Sequence, residues 1–441
     1  MPHGAHARPG REPGHPPPPL RALRHRFGSL FPPLGARAWR LLGCVLLFEI
    51  GTGMTLPIVI VFLHDGRGIS LAAAGLALAV AGAAGLVGTV AAGVAADRFG
   101  AGRTAVAGLA LAGAGTVGFL AVHSLGAAIV AAAFQGAGFG VVWIGMFPLL
   151  VHAVEDRRRE DMLGVSYGAI NLGLGIGSLL AGAILAFSPD AFGILFVVDA
   201  ASYALFAVLL IALGEVGSAP SESEVSASIT AYGPVVRDTR LLIATGISLV
   251  LVIAGYSQIT SAFPAWATGP ADVSRSVVGF AFAANTWAIV VAQLPTIRLV
   301  RGWRRTRAVA VTGLVFAVAW LVVLAAGQTS SRALATAALV SGMAIFGVGE
   351  TFLSPSLPGI VNRLTGDETR GRYVAFYSLS WQAGPMIGPL IAGAAIGAGH
   401  GSELFIGLAV VCALVAPAAV LYERALPASA NRALDTANGV S

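Results

Sequence analysis

The chain has 441 residues, 56% of them hydrophobic and only 11% charged, with a formal net charge of +6 at pH 7 and a mean hydropathy of +0.81. A soluble domain carries about 25% charged residues, so the charge present is too little to cover a water-facing surface of this size. That excludes a soluble globular enzyme and a disordered protein. All 27 basic residues are arginine, and they sit in short clusters between apolar runs, not in the stripe of a nucleic-acid-binding face.

Residues 1–38 are rich in Pro, Gly, His and Arg and include Pro16 to Pro19 in a row. No packed structure is expected there, and the segment reads as a disordered cytoplasmic tail. Twelve apolar runs follow, at 41–63, 71–96, 104–123, 127–151, 163–187, 191–213, 241–263, 277–297, 308–327, 333–354, 373–397 and 403–422. Each is long enough to cross a hydrocarbon core of ~30 Å as a helix. Backbone polar groups in lipid must be satisfied within the segment, which selects helices over isolated strands. The 57 glycines, together with many alanines, suit close helix–helix approach in a bilayer. Cys44 and Cys412 both lie inside apolar runs and read as core filler, not as a disulfide or zinc framework.

The arginines divide 24 to 3 between the two sides defined by the runs, with only Arg67, Arg275 and Arg332 on the poorer side. Positive charge favours the cytoplasmic face, so both termini are expected in the cytoplasm of a plasma or inner membrane. The longest loop, 214–240, follows run six and contains the polar stretch from Ser218 to Glu224. It reads as a cytoplasmic linker between an N-terminal bundle, 39–213, and a C-terminal bundle, 241–424, with a cytoplasmic tail at 425–441. The bundles carry a repeat. At an offset of 211, seven of eleven positions are identical between Gly173–Ala183 and Gly384–Ala394, and Asp156 and Arg159 align with Asp367 and Arg370. Parallel six-helix repeats are a known architecture of secondary transporters.

The loop after run two reads Gly93-Val-Ala-Ala-Asp97-Arg98-Phe-Gly100-Ala-Gly-Arg103. It resembles the signature loop of the major facilitator superfamily, Gly-x-x-x-Asp-Arg-x-Gly followed by basic residues. The resemblance extends over the twelve spans, the six-plus-six repeat and the central loop. It implies an all-α polytopic membrane protein of that fold, with twelve transmembrane helices in two pseudo-symmetric bundles. By the same resemblance Gly93, Asp97, Arg98, Gly100 and Arg103 form a gating motif at the cytoplasmic mouth. Asp97 can accept from arginine and from a helix N-terminus, and Gly100 permits a tight turn. Run five, Gly173-x-x-x-Gly177-Ser178, is similar to the Gly-x-x-x-Gly-Pro motif of the superfamily's drug antiporters, with Ser178 in place of proline. The proline form, Gly384-Pro385-x-x-Gly388-Pro389, occurs in run eleven. Run four has Ala132 where the similar family segment has an arginine.

Three acids lie within apolar runs, Glu49, Asp199 and Glu350. An ionised side chain in hydrocarbon is costly, so each is a candidate for proton coupling. Glu49 lies nine residues past Arg40, ~13 Å along a helix and near the midplane. Gly51, Gly53 and Pro57 then invite a bend, and the stretch Gly347 to Pro358 reads as an interrupted helix. The resemblance implies that Glu49 and Glu350 face a central cavity from opposite bundles, with Asp199 in a peripheral helix near the extracellular end. Candidate cavity residues are Trp143, Asn171, Tyr256, Gln258, Asn285 and Gln382, a mixture of rings and amides suited to a partly apolar ligand. No nucleophile–base pair, nucleotide loop or histidine cluster is present in the sequence, so no catalytic site, metal or cofactor is expected. The expected protein is a monomeric secondary transporter that exchanges protons for small, partly hydrophobic compounds. Import of a sugar or other metabolite is the alternative, and a membrane receptor or enzyme on the same scaffold stands behind both.

Overall fold

The computed structural model describes residues 32–217, 233 and 235–432. Most of the expected N-terminal tail, the middle of the linker and most of the C-terminal tail lie outside the described residues. Among the described residues, eleven helical segments are long and apolar enough to cross a membrane. They are α1 (Ala36–Gly66), α2 (Leu71–Phe99), α3 (Ala101–Ala121), α4 (Leu125–His152), α5 (Asp161–Phe187), α6 (Phe192–Ala212), α7 (Thr239–Thr268), α8 (Arg275–Leu299), α9 (Arg305–Ala326), α10 (Arg332–Val361) and α12 (Gly401–Ala425). Between the last two runs α11 (Asp367–Gly397), less apolar because it carries Ser, Gln and two prolines.

Helix ends follow local chemistry. The Ser70, Ser124 and Ser331 hydroxyls accept the backbone N–H groups of Ala73, Ala127 and Leu334, capping α2, α4 and α10. Several helices outrun their apolar stretches. α2 continues to Phe99 and α11 begins at Asp367. Hydropathy stops where charge begins, but backbone hydrogen bonding continues through the charged turns.

The packing repeats between bundles. In the first, α1 packs on α5 and α6, α2 on α4, and α3 on α4 and α6; in the second, α7 packs on α11 and α12, α8 on α10, and α9 on α10 and α12. Each contact maps onto its counterpart six helices later. The bundles meet through α2 against α11 and α5 against α8, which is again a symmetric pair. Glycines permit this approach. A Cβ on Gly75 would stand 2.2 Å from the Pro389 carbonyl, and one on Gly279 would stand 2.6 Å from the Gly182 nitrogen.

Three helices are interrupted. α1 stops at Thr55, turns through Leu56–Ile58 around Pro57, and ends in a π-helical turn over Phe62–Gly66. α7 carries a π-helical turn at Val252–Tyr256 and breaks at Thr260 and Ser261. α10 turns at 354–356 and resumes over Leu357–Val361. Proline lacks the N–H that would continue each ladder. Gly51 and Gly53, expected to bend α1, lie in its regular part and serve packing instead. A Cβ on Gly53 would be 2.4 Å from the Leu174 carbonyl of α5.

Candidate functional site

A cavity of about 540 Å³ lies between the bundles. α1 contributes Thr52 and Thr55, α4 Gln135, Phe139 and Trp143, α7 Tyr256 and Thr260, and α11 Trp381 and Gln382. Rings form much of the wall. Tyr256 meets Trp381 at 4.8 Å between centroids, and buried Phe48 backs Phe139 and Trp143 at 5.6 and 6.3 Å. Among the described lining residues there is no Asp, Glu, Arg or His. The polar groups present are hydroxyls and amides, which orient a ligand without demanding a charge. The π-helical turn of α7, Val252–Tyr256, widens the helix at Tyr256, which rotates the side chains that follow relative to a regular helix.

Behind the wall each bundle holds buried acid. In the C-terminal bundle, Glu350 of α10 accepts a hydrogen bond from Asn285 Nδ2 of α8 at 2.9 Å. Asn285 also donates to the Met343 carbonyl at 3.3 Å. The Tyr256 hydroxyl approaches the same carboxyl, and Tyr167 of the opposite bundle lies within its electrostatic reach. In the N-terminal bundle, Thr55 Oγ1 donates to Asp199 Oδ2 at 2.6 Å, and the Thr52 hydroxyl lies 3.4 Å from that of Tyr203. Glu49 is 4% exposed, and a Cβ on Gly173 of α5 would stand 2.6 Å from its own Cβ. Each acid cluster therefore touches a residue that also lines the cavity, Thr55 on one side and Tyr256 on the other.

The close glycine contacts between bundles fall in the membrane half away from the arginine-rich loops, at Gly75, Gly82 and Gly393 and at Gly182 and Gly279. At that end Arg275 of α8 bridges to the N-terminal bundle. It contacts Asp65 at 3.4 Å, Asp190 at 2.7 Å and the Pro189 carbonyl at 3.1 Å, and its guanidinium lies over the Phe192 ring. At the arginine-rich end the space around the Cβ positions of Gly93, Gly164, Gly168 and Gly371 is open.

A family model described as Major Facilitator Superfamily matches residues 41–274 and 245–438. The chain belongs to the major facilitator superfamily. It is a multi-pass membrane transporter of the secondary type, with a small-molecule substrate, and not an enzyme. It is 25% identical over 380 residues to the uncharacterized MFS-type transporter YttB of Bacillus subtilis, covering 85% of this chain and 92% of the relative. The uncharacterized MFS-type transporter YdeE of Escherichia coli is 23% identical over 376 residues, covering 84% and 91%. Among solved structures the fold resembles a POT family transporter in complex with 5-aminolevulinic acid, with a TM-score of 0.70 and 14% identity over 88% of this chain and 96% of that one. It also resembles the inward-open xylose transporter XylE from E. coli, with a TM-score of 0.66 and 13% identity over 90% and 97%.

In this superfamily member the residues expected at the cavity separate into two groups. Trp143, Tyr256 and Gln382 line it. Asn171 instead donates to the Tyr167 carbonyl at 2.9 Å, and Asn285 serves Glu350. Gln258 is fully buried and donates to the Ile253 and Gly388 carbonyls at 2.7 and 3.4 Å, tying α7 to α11. Glu49 and Glu350 lie behind the wall and not on it. Asp199, expected on a peripheral helix, is fully buried against α1, because Gly51 leaves room for it. A Cβ on Gly51 would sit 2.8 Å from Asp199 Oδ1.

The expected gating motif forms the turn between α2 and α3. Gly100 adopts φ +90, favoured only by glycine, and its N–H donates to the Ala96 carbonyl at 2.9 Å. Asp97, Arg98 and Arg103 are exposed there, and Arg98 lies over the Phe99 ring. Gly93 has open space around it. Thr52, Thr55, Tyr203 and the Arg275 contacts carry no signal in the sequence, since threonine is common in apolar helices and ion pairing across bundles depends on the fold.

Proposed function

We propose that this transporter exports small, partly hydrophobic organic compounds in exchange for protons, by alternating access in the plasma or inner membrane, with both termini cytoplasmic. The observation that carries the reading is the cavity itself. At about 540 Å³, with four aromatic side chains and no Asp, Glu, Arg or His on its wall, it suits a neutral or weakly polar organic molecule better than an anion or a dense polyol. Proton coupling is supported by Glu49, Asp199 and Glu350, acids inside apolar helices with no basic side chain in the same stretch. An acid so placed holds charge at high cost, and taking up a proton removes that cost. A proton entering from outside favours one opening of the cavity, and substrate entering from the cytoplasm favours the other. The bundle contacts away from the arginine-rich end, and the Arg275 bridge there, support a cavity facing the cytoplasm in this conformation.

The amides of Gln135 and Gln382 on the wall support a second reading, import of a neutral metabolite. Direction of flux separates the two. The test is expression in a host stripped of its own efflux pumps, scored against a panel of dyes, apolar drugs and sugars, then reconstitution of the responding compound into proteoliposomes with an imposed pH gradient. Lower cellular accumulation and gradient-accelerated transport are expected. Accumulation of a sugar above the control, with no response among the apolar compounds, would replace export by import.

A further inference from the structure

The residues after α12 fold back across the arginine-rich end of the C-terminal bundle. Pro427 leads into a single helical turn, Ala428–Asn431, in which Ala430 and Asn431 are buried. Asn431 Oδ1 accepts the backbone N–H of Thr306 at 3.1 Å, in the first turn of α9. The residue before α9, Arg304, supplies no side-chain cap of its own. First-turn N–H groups have no partner within their helix, so Asn431 caps α9 from 125 positions away. Glu423, at the end of α12, pairs with Arg304 and accepts from Thr306 Oγ1 at 3.1 Å. Half-buried Arg305 joins this segment to the break in α10. Its Nε donates to the Arg432 carbonyl at 3.4 Å and its Nη1 to the Pro355 carbonyl at 2.6 Å. Glycine at 359 makes the room, since a Cβ there would stand 2.6 Å from Arg305 Cζ. Arg363, just past α10, donates to the Ser429 carbonyl at 3.4 Å.

We infer that Arg305 is a positioning residue for the transport cycle, and that the segment 426–432 is the strap that holds it in place. Together they fix the angle of α10 at its break and bias the cytoplasmic mouth toward the open state. The direction of that bias rests on the cytoplasm-facing reading above. Pro358 has no N–H to donate to the Ser354 carbonyl, so the helical ladder cannot carry the angle of α10 across the turn at 354–356. What lies outside α10 must set it. The longer piece is tied to α8 through Glu350 and Asn285, one turn before the break. The shorter piece, Leu357–Val361, packs on α7, α9, α11 and the 428–431 turn, all within its own bundle. Closing the mouth brings the cytoplasmic ends of the two bundles together, and α10 bends most easily where its ladder is missing. The Arg305 bond to Pro355, the Arg363 bond to Ser429 and the Asn431 cap that seats the strap on α9 all hold the short piece back. Interactions made in one state only shift the balance of states by their own strength.

The test is a distance across the mouth in the full-length protein in proteoliposomes. Gly164 of α5 and Gly371 of α11 both have open space around their Cβ positions. Spin labels on Gly164→Cys and Gly371→Cys, with buried Cys44 and Cys412 replaced by alanine, report that distance by double electron–electron resonance. The wild type is expected to give mainly the long distance. Asn431→Ala should raise the ratio of short to long distances about fivefold, the equivalent of one helix cap. Arg305→Gln should raise it at least as far. Asn431→Asp, which keeps an acceptor for the Thr306 N–H, should restore the wild-type ratio. A melting curve in detergent runs beside each measurement. A lower melting temperature with an unchanged ratio in Asn431→Ala and Arg305→Gln would make the segment a packing element and overturn the proposal. If Arg305→Gln does not fold, Asn431→Ala decides alone, and an unchanged ratio there overturns it too. A wild type with mainly the short distance would remove the cytoplasm-facing reading and, with it, the direction of the bias. A ratio that still moves in Asn431→Ala and returns in Asn431→Asp would keep the strap.

Discussion

Glu49 and Glu350 stand on α1 and α10, both buried and neither on the cavity wall. Glutamine keeps the size and hydrogen-bonding capacity of glutamate and removes its proton. At least one of Glu49→Gln and Glu350→Gln is expected to abolish transport driven by a pH gradient while retaining downhill exchange, because cavity and fold are intact. Undiminished gradient-driven flux in both single variants and the double variant would remove these acids from coupling. Gly51 makes a complementary prediction. A methyl group there would fall 2.1 Å from Ser202 Oγ and 2.8 Å from Asp199 Oδ1, so Gly51→Ala must push the acid aside or separate α1 from α6. Overpacking of this kind costs about 1–3 kcal/mol, and a lower melting temperature in detergent is the expected outcome.

At the scale of elements, α1 and α5 are held together by missing side chains. A Cβ on Gly177 would lie 2.0 Å from the Ile50 carbonyl and 3.0 Å from the Gly53 Cα. Gly177→Leu is therefore expected to separate the helices and destabilise the N-terminal bundle more than Gly407→Leu on α12, where a Cβ meets nothing within 4 Å. Thermal melting of the two variants side by side checks this. Ser178, which stands where the run-five motif of the drug antiporters has proline, donates to the Gly53 carbonyl of α1 at 2.8 Å. The α2–α3 turn carries the other element-scale prediction. Asp97 is exposed, away from the cavity wall, so Asp97→Asn should slow transport cycles far more than it weakens ligand binding. Normal transport at wild-type expression would reduce the motif to a packing turn.

For the whole molecule, Arg275 is the charged link between bundles at the end away from the arginine-rich loops. Its partner Asp190 is 91% exposed and Asp65 is 21% exposed. Water screens such pairs to about 0.5–1 kcal/mol, so Arg275→Gln should shift the balance of open and closed mouths only a few-fold. Cysteine labelling near Asp65 from that side should become correspondingly faster, and an unchanged rate would show that α2–α11 and α5–α8 packing alone closes the mouth. The orientation proposal is checked by tags at residue 225 and at both termini, which should be reached only from the cytoplasm, while a label near Asp272 should be reached from outside.

The number and order of the spans, their repetition and the arginine imbalance were determined by the sequence itself. Hydropathy is a local property, and any long apolar run must form a helix to satisfy its backbone in lipid. The breaks in α1 and α10 were legible for a related reason, since proline acts on its own turn. Which polar side chains meet the cavity was decided only by tertiary structure. That choice depends on the rotation of each helix about its axis, set by glycine contacts tens or hundreds of residues away and altered in α7 by a π-helical turn. Thr52 and Thr55 reach the wall while Glu49, on the same helix, does not. Asp199 became an interior acid because α6 turns it onto the bare backbone of Gly51, a partner 148 positions earlier. No pattern within either helix records that meeting.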